Sequence, residues 1–299
     1  RRLLPENARA RFAQCLTSNL PLLAIATDVA AQAGSRQRDH DGAGLACIIL
    51  RPTQRRDGTN MHESTHFGNT IDLASAALGG ETLLTNDDFF AGMDNLLKPG
   101  RGVFIPDKYT ERGKWMDGWE SRRKRVPGHD WCLIRLGVPG QIRGVDIDTN
   151  HFLGNHPPFA SLDACTMPAD TSATDLRDKA TWTRILDQIP LRRGSQNLAS
   201  IRSSKTWTHI RLNIYPAGGV ARLRVYGDPK PTATAGCIDL VALANGGRAL
   251  ACSDMFFSPM NNLLLPQRAT DMGQGWETRR SRPPGDDWVI LAMGQPGAI

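Results

Sequence analysis

The clearest hydrophobic pattern lies between Thr208 and Tyr215, where Ile210, Leu212 and Ile214 alternate with polar positions. A strand with one face in a core places apolar side chains at every second residue. Pro216-Ala217-Gly218-Gly219 then supplies turn chemistry, and Ala221, Leu223 and Val225 alternate with Arg222, Arg224 and Tyr226. The pattern predicts a β-hairpin with Arg222, Arg224 and Tyr226 facing out. Val145 to Asp148 alternates in the same way, and Trp131 to Leu136 reads as a shorter apolar strand. Helical periodicity is weak. Ile71 to Leu78 is the stretch suited to a short helix, with Gly79-Gly80 as its stop. Many short strands separated by Gly and Pro predict an all-β chain built from sandwiches, not a parallel α/β sheet.

A second pattern is internal duplication. Ile71-Asp72-Leu73 through Gly79-Gly80 matches Ile238-Asp239-Leu240 through Gly246-Gly247. Asp87-Asp88-Phe89-Phe90 matches Asp254-Met255-Phe256-Phe257, and Asn95-Leu96-Leu97 matches Asn262-Leu263-Leu264. After a shorter connection in the second copy, Gly118-Trp119-Glu120-Ser121-Arg122-Arg123 matches Gly275-Trp276-Glu277-Thr278-Arg279-Arg280. The organisation expected is an extension over 1–67, a first repeat over 68–228, a linker over 229–235 and an incomplete second repeat over 236–299. The second copy ends where the first continues into Arg143 to Asp148. The first 60 residues match neither copy, and Met61 is expected as the natural start.

Composition adds limits. The chain has 299 residues, 40% apolar and 22% charged, which suits a globular protein with more than one core. No run reaches the roughly 18–20 apolar residues of a membrane span. Leu20 to Ala33 is too short and is broken by Asp28. The six cysteines form no C-x-x-C pair and show no zinc spacing, so buried thiols in a reducing, cytoplasmic setting are expected. The formal charge of +6 is concentrated in Arg122-Arg123-Lys124-Arg125 and Arg279-Arg280 instead of a broad basic stripe. That distribution argues against a nucleic-acid reader and suits recognition of a carboxylate.

Two stretches carry groups suited to chemistry. In Lys114 to Arg125, closed by Gly128-His129-Asp130-Trp131, acids, cations and aromatics crowd together. Glu120, His129 and Asp130 are candidate acids and bases, and Arg122 and Arg123 candidate carboxylate holders. The competing reading is a lattice of ion pairs tying loops to the sandwich, with the tryptophans as core. The second stretch, Asp146 to Pro158, offers Asp148, His151 and His156 as weak metal candidates, against a reading in which Asp148 and Thr149 cap a turn. There is no G-x-S-x-G, P-loop or H-E-x-x-H motif.

On Gly113 to Arg123, Gly128-His129-Asp130-Trp131, Phe104 to Tyr109, Asp148 to Asn155 and Arg211 to Pro216, the chain closely resembles the allantoicase family from about Gly68 to Ile299. The resemblance implies two tandem jelly-roll (galactose-binding-like) β-sandwich domains, the second truncated. It implies hydrolysis of allantoate to ureidoglycolate and urea in purine breakdown, by an enzyme that forms a homo-oligomer. Under it, Glu120, His129 and Asp130 are the expected catalytic groups. Arg122, Arg123 and Arg211 would hold the carboxylate, and Asn155 and Asn213 would read the urea amides. No cofactor is required by the sequence, a divalent metal is left open, and neither membrane nor nucleic acid is an expected partner. The rival reading is a non-catalytic jelly-roll module that binds an acidic small molecule or partner.

Overall fold

The computed structural model describes residues 67, 70–230, 237–266, 268–269, 271–280 and 285–297. The extension expected over 1–67, apart from Phe67, and the start expected at Met61 lie outside the described residues.

The first repeat contains β1 (Ile71–Asp72), β2 (Glu81–Thr85), β3 (Tyr109–Thr110), β4 (Gly113–Lys114), β5 (Trp119–Glu120) and β6 (Asp130–Asp148). It continues with β7 (Phe159–Cys165), helix α1 (Ala173–Lys179), β8 (Thr183–Pro190) and β9 (Leu198–Ser200). It closes with β10 (Trp207–Tyr215), β11 (Gly219–Val220) and β12 (Arg222–Pro229). The 19-residue β6 organises everything else. Its first half pairs with β2 and β10, and β10 continues the sheet through β7 to β8. Its second half pairs with β9 and β12, and β12 leads to β1. One strand thus serves two sheet portions whose apolar sides meet in one core. Ile134, Ile147, Leu162, Ile210, Leu212 and Leu223 are fully buried there. Each such aliphatic side chain contributes about 1.5–3 kcal/mol on burial.

The handover falls at Gly140, which faces both Trp207 of β10 and Pro229 of β12. A Cβ at Gly140 would lie 2.7 Å from the Asp228 carbonyl oxygen and 2.8 Å from Leu73. Only glycine permits that approach. The apolar run at Trp131 and the alternation at Val145 are therefore one strand, not two.

Other local expectations change for similar reasons. The hairpin expected over Thr208–Tyr226 does not form: β10 and β12 pair with opposite halves of β6. The chain between them carries β11, which pairs with β5. Arg222, expected to face solvent, is only 4% exposed because Asp117 meets it inside the fold. Ile71 to Leu78 is not one helix. It is β1 followed by a 3₁₀ turn, Ala76–Leu78, which Gly79 does end with φ 88°. Asp72 imposes this shape, because its Oδ1 accepts the N–H groups of Ala74 and Val225. The last strand runs through Pro229, into the stretch expected as linker.

Asp72 also makes the fold pH-sensitive. Burial drives its pKa up from 3.8 to about 6, against the backbone donors and Arg224. A carboxyl whose folded pKa is raised adds stability below its unfolded pKa, and loses it as pH rises through the folded value. The loss is therefore spread from about pH 4 to just above 6. Asp72→Asn keeps the Oδ1 acceptor and removes the charge. It should stabilise the protein at pH 7.5 by about 2 kcal/mol, with little gain at pH 4.5. Urea unfolding at the two pH values checks this; equal losses at both would contradict it.

In the second repeat, β13 (Arg248–Cys252) pairs with β14 (Val289–Ala292). The local frames of the two repeats coincide. Trp119 and Trp276 both donate Nε1–H to a carbonyl, of Asp87 and Asp254 respectively, at 2.8 Å. Phe89–Phe90 and Phe256–Phe257 both pack edge to face. Trp119 is fully buried, and its counterpart Trp276 is half-buried. Among the described residues no helix is long and apolar enough to cross a membrane.

Candidate functional site

An open cavity of about 350 Å³ lies against β5, lined by Phe90, Phe104, Arg112, Lys114, Met116, Glu120, His151 and Asn155 among others. Its floor is set by strand geometry. Neighbouring residues of a strand point to opposite sides, so burying Trp119 turns Glu120 toward the cavity. The Glu120 backbone is clamped between Ala91 and Gly219, with Glu120 N–H donating to the Ala91 carbonyl at 3.0 Å. Gly219 N–H donates to the Asn155 carbonyl at 2.8 Å, which brings the 149–156 loop beside β5. Asn155 Nδ2 then donates to Glu120 Oε1 at 2.6 Å. Burial pushes the Glu120 carboxyl above its ordinary range, and the Asn155 hydrogen bond opposes that rise without cancelling it. A carboxyl shifted in that direction holds its proton more tightly than an exposed one, which suits it to donating a proton to a substrate.

The opposite wall is the β3–β4 hairpin. Arg112 donates Nη1–H to the Phe89 carbonyl at 2.9 Å and sits over the Phe89 ring. Lys114 Nζ stands 4.6 Å from the Phe104 ring centre and 5.6 Å from that of Tyr109. His151 occupies a left-handed conformation, φ 68°, and stacks on Phe104 with Nε2 3.1 Å from the Gly102 carbonyl. The cavity therefore offers one acid, two cations, an amide and aromatic walls: an arrangement suited to a small anion that undergoes proton transfer.

Of the residues expected from sequence, Glu120, Asn155 and His151 line this cavity. Arg122 lies outside, with Nε 2.7 Å from Asp87 Oδ2 and its backbone N–H also on that carboxylate. Burial raises Asp87, but the donors from Phe89 and Arg122 outweigh it and hold the carboxyl below its usual range. Arg123 is on the surface. His129, Asp130, Arg211 and Asn213 belong to a separate polar cluster on the sheet. Asp130 is fully buried and pairs with Lys124 at 2.7 Å. His129 Nε2 is 3.3 Å from Asn213 Oδ1, and its ring lies 4.7 Å from that of Tyr215. Asn213 and Arg211 both donate to Asp163 Oδ2 at 2.9 Å.

The metal set Asp148, His151 and His156 is not assembled. Asp148 takes a two-point contact from Arg101 at 2.9 and 3.0 Å and the Asn150 N–H, which makes it a turn cap. His151 is held by Phe104 and Gly102, and burial lowers the pKa of His156. Among the described residues no group of three or more His, Cys, Asp or Glu side chains is placed to hold a metal. Lys114, Phe90 and Phe104 fall in stretches marked from sequence and Arg112 lies just before one, but none of the four has an individual role there. The extra length of the first copy between Leu97 and Gly118 is the signal that marks their hairpin.

A family model described as the allantoicase repeat matches residues 71–230 and 238–299. A protein of Pseudomonas aeruginosa strain LESB58 named "Probable allantoicase" is 50% identical over 243 residues, covering 79% of this chain and 71% of that protein. One of the same name from Photobacterium profundum is 47% identical over 243 residues, covering 80% and 72%. The crystal structure of allantoicase from Saccharomyces cerevisiae matches with a TM-score of 0.66 at 34% identity, covering 79% of this chain and 74% of that one.

Proposed function

The chain belongs to the allantoicase family, hydrolysing allantoate to ureidoglycolate and urea, and we propose that this happens in the cavity beside Glu120. The supporting observation is a carboxyl with a raised pKa, held by Asn155 at 2.6 Å, in a cavity lined by two cations. The non-catalytic binding module gives way to the family assignment.

Allantoate carries a hydrogen, a carboxylate and two ureido groups on one carbon. Protonated Glu120 gives its proton to the nitrogen of the departing ureido group as that C–N bond breaks. The lone pair of the remaining ureido nitrogen forms a C=N bond, and urea leaves. Glu120, now a carboxylate, takes a proton from the water whose oxygen adds to the same carbon, and the C=N electron pair returns to nitrogen. The product is ureidoglycolate, and Glu120 ends protonated, as it began. One carboxyl serves as acid and then as base. Asn155 Nδ2 stabilises the ionised intermediate state of Glu120, and its Oδ1 is the acceptor available to a ureido N–H. Association with further copies of the chain, which the family resemblance implies, belongs to the same proposal.

The reading is tested by urea release from allantoate as a function of pH. Turnover should fall as pH rises through the pKa of Glu120. Asn155→Ala removes a bond that favours the ionised form, so this alkaline limb should move to higher pH. A limb that stays in place would remove Asn155 from this role. Folded protein that releases no urea from allantoate would overturn the functional reading itself.

A further inference from the structure

The two repeats share one frame but differ at one connection. Asn95 Nδ2 donates to the carbonyls of Gly92 and Gly118, both at 3.0 Å. Its counterpart Asn262 donates to those of Gly273 and Gly275, at 3.0 and 2.9 Å. Asn95–Gly118 and Asn262–Gly275 are therefore equivalent fixed points in the two copies. Between Leu97 and Gly118 the first copy has residues 98–117, whereas between Leu264 and Gly275 the second has 265–274. The ten additional residues of the first copy hold the β3–β4 hairpin, with Arg112 and Lys114. The acid, by contrast, is present twice, since the Ser258–Glu277 bridge repeats the Ala91–Glu120 bridge.

We propose that the β3–β4 hairpin, an addition peculiar to the first repeat, is the carboxylate-recognition element of the enzyme, with Lys114 and Arg112 as its specificity-determining cations. The inference rests on the cavity beside Glu120 being the reaction site. Both cations are parked on aromatic faces, Lys114 on Phe104 and Tyr109, Arg112 on Phe89. A ring face holds a cation without neutralising it, and the further partner of Arg112, the Phe89 carbonyl, is neutral, so both cations can meet an incoming carboxylate with their charge intact. The second repeat has Glu277 on the same frame, but among the described residues its shorter connection, which carries Arg268, forms no counterpart of the β3–β4 hairpin.

Lys114 and Arg112 are exposed, so their alanine variants should fold. The experiment compares allantoate with its neutral methyl ester in the full chain, by urea release. Lys114→Ala and Arg112→Ala should each lower the ratio of kcat/KM for acid over ester about ten- to a hundred-fold, mostly through KM for the acid. Glu277→Gln should leave kcat/KM for allantoate unchanged. An unaltered acid-to-ester ratio in both alanine variants, with Glu120→Gln inactive, would overturn the hairpin's role while leaving the site intact. Loss of activity in Glu277→Gln would overturn the restriction to the first repeat. A fully active Glu120→Gln would instead show that the site itself is misplaced.

Discussion

Replacing Glu120 with glutamine is expected to lower kcat for urea release by about 10²- to 10⁴-fold without weakening the fold. The two halves of that statement have the same physical origin. Burial raises the pKa of Glu120, so the folded state favours the neutral carboxyl and is penalised as the group ionises. A folded pKa above the unfolded one means that stability is lost as pH rises through the folded value. Glutamine is uncharged at every pH and preserves an oxygen for Asn155 Nδ2, so the variant's denaturation midpoint at neutral pH should equal or exceed the parent's. What disappears is the proton that the departing urea nitrogen needs. The parent's turnover should therefore carry an alkaline limb that the variant lacks. Urea release within threefold of the parent would end the assignment, and so would an undiminished alkaline limb.

How far this could be read from sequence depends on the range of the interactions involved. Duplication was visible because both copies keep the residues of one frame, from Trp119 and Trp276 to Arg122 and Arg279. The buried faces of single strands were visible too, since Ile210, Leu212 and Ile214 follow a two-residue period set by one core. Pairing was not visible. Pro216 to Gly219 has turn composition, yet β10 and β12 separate because β6 is long enough to receive both. Gly137 to Gly140 also has turn composition, but it is the crossing of one strand between two partners. Arg222 was assigned to solvent by alternation, because nothing in the period reveals that Asp117, far away in sequence, would meet it. The same limit applies to the cavity. Glu120 and Asn155 come together only through β11, and Arg112 and Lys114 sit on an exposed hairpin with no core face to give it a period.

Asp117→Ala is the substitution expected to damage stability most. Asp117 and Arg222 are 8% and 4% exposed, with Arg222 Nη2 2.7 Å from Asp117 Oδ2. The same carboxylate oxygen accepts the Val103 N–H at 2.9 Å, and Arg222 Nη1 donates to the carbonyls of Asp117 and Ala221. Burial raises the Asp117 pKa, but Arg222 and Val103 overcome it and hold the carboxyl below its usual range. Its contribution is therefore present above the unfolded carboxylate pKa and is lost as pH falls through the folded one. Removing the acid leaves a guanidinium inside the fold without its counter-charge, at a cost of about 3–5 kcal/mol. The damage should reach the cavity, since Val103 adjoins Phe104 and Asp117 adjoins Met116, both of which line it. Replacing both partners, Asp117→Leu with Arg222→Met, should cost less than Asp117→Ala alone, because no charge is then stranded. Urea unfolding of the three proteins at pH 7.5 decides the matter. If the double variant is the least stable, the pair is a net source of stability, and the stranded arginine is not what makes the single substitution harmful.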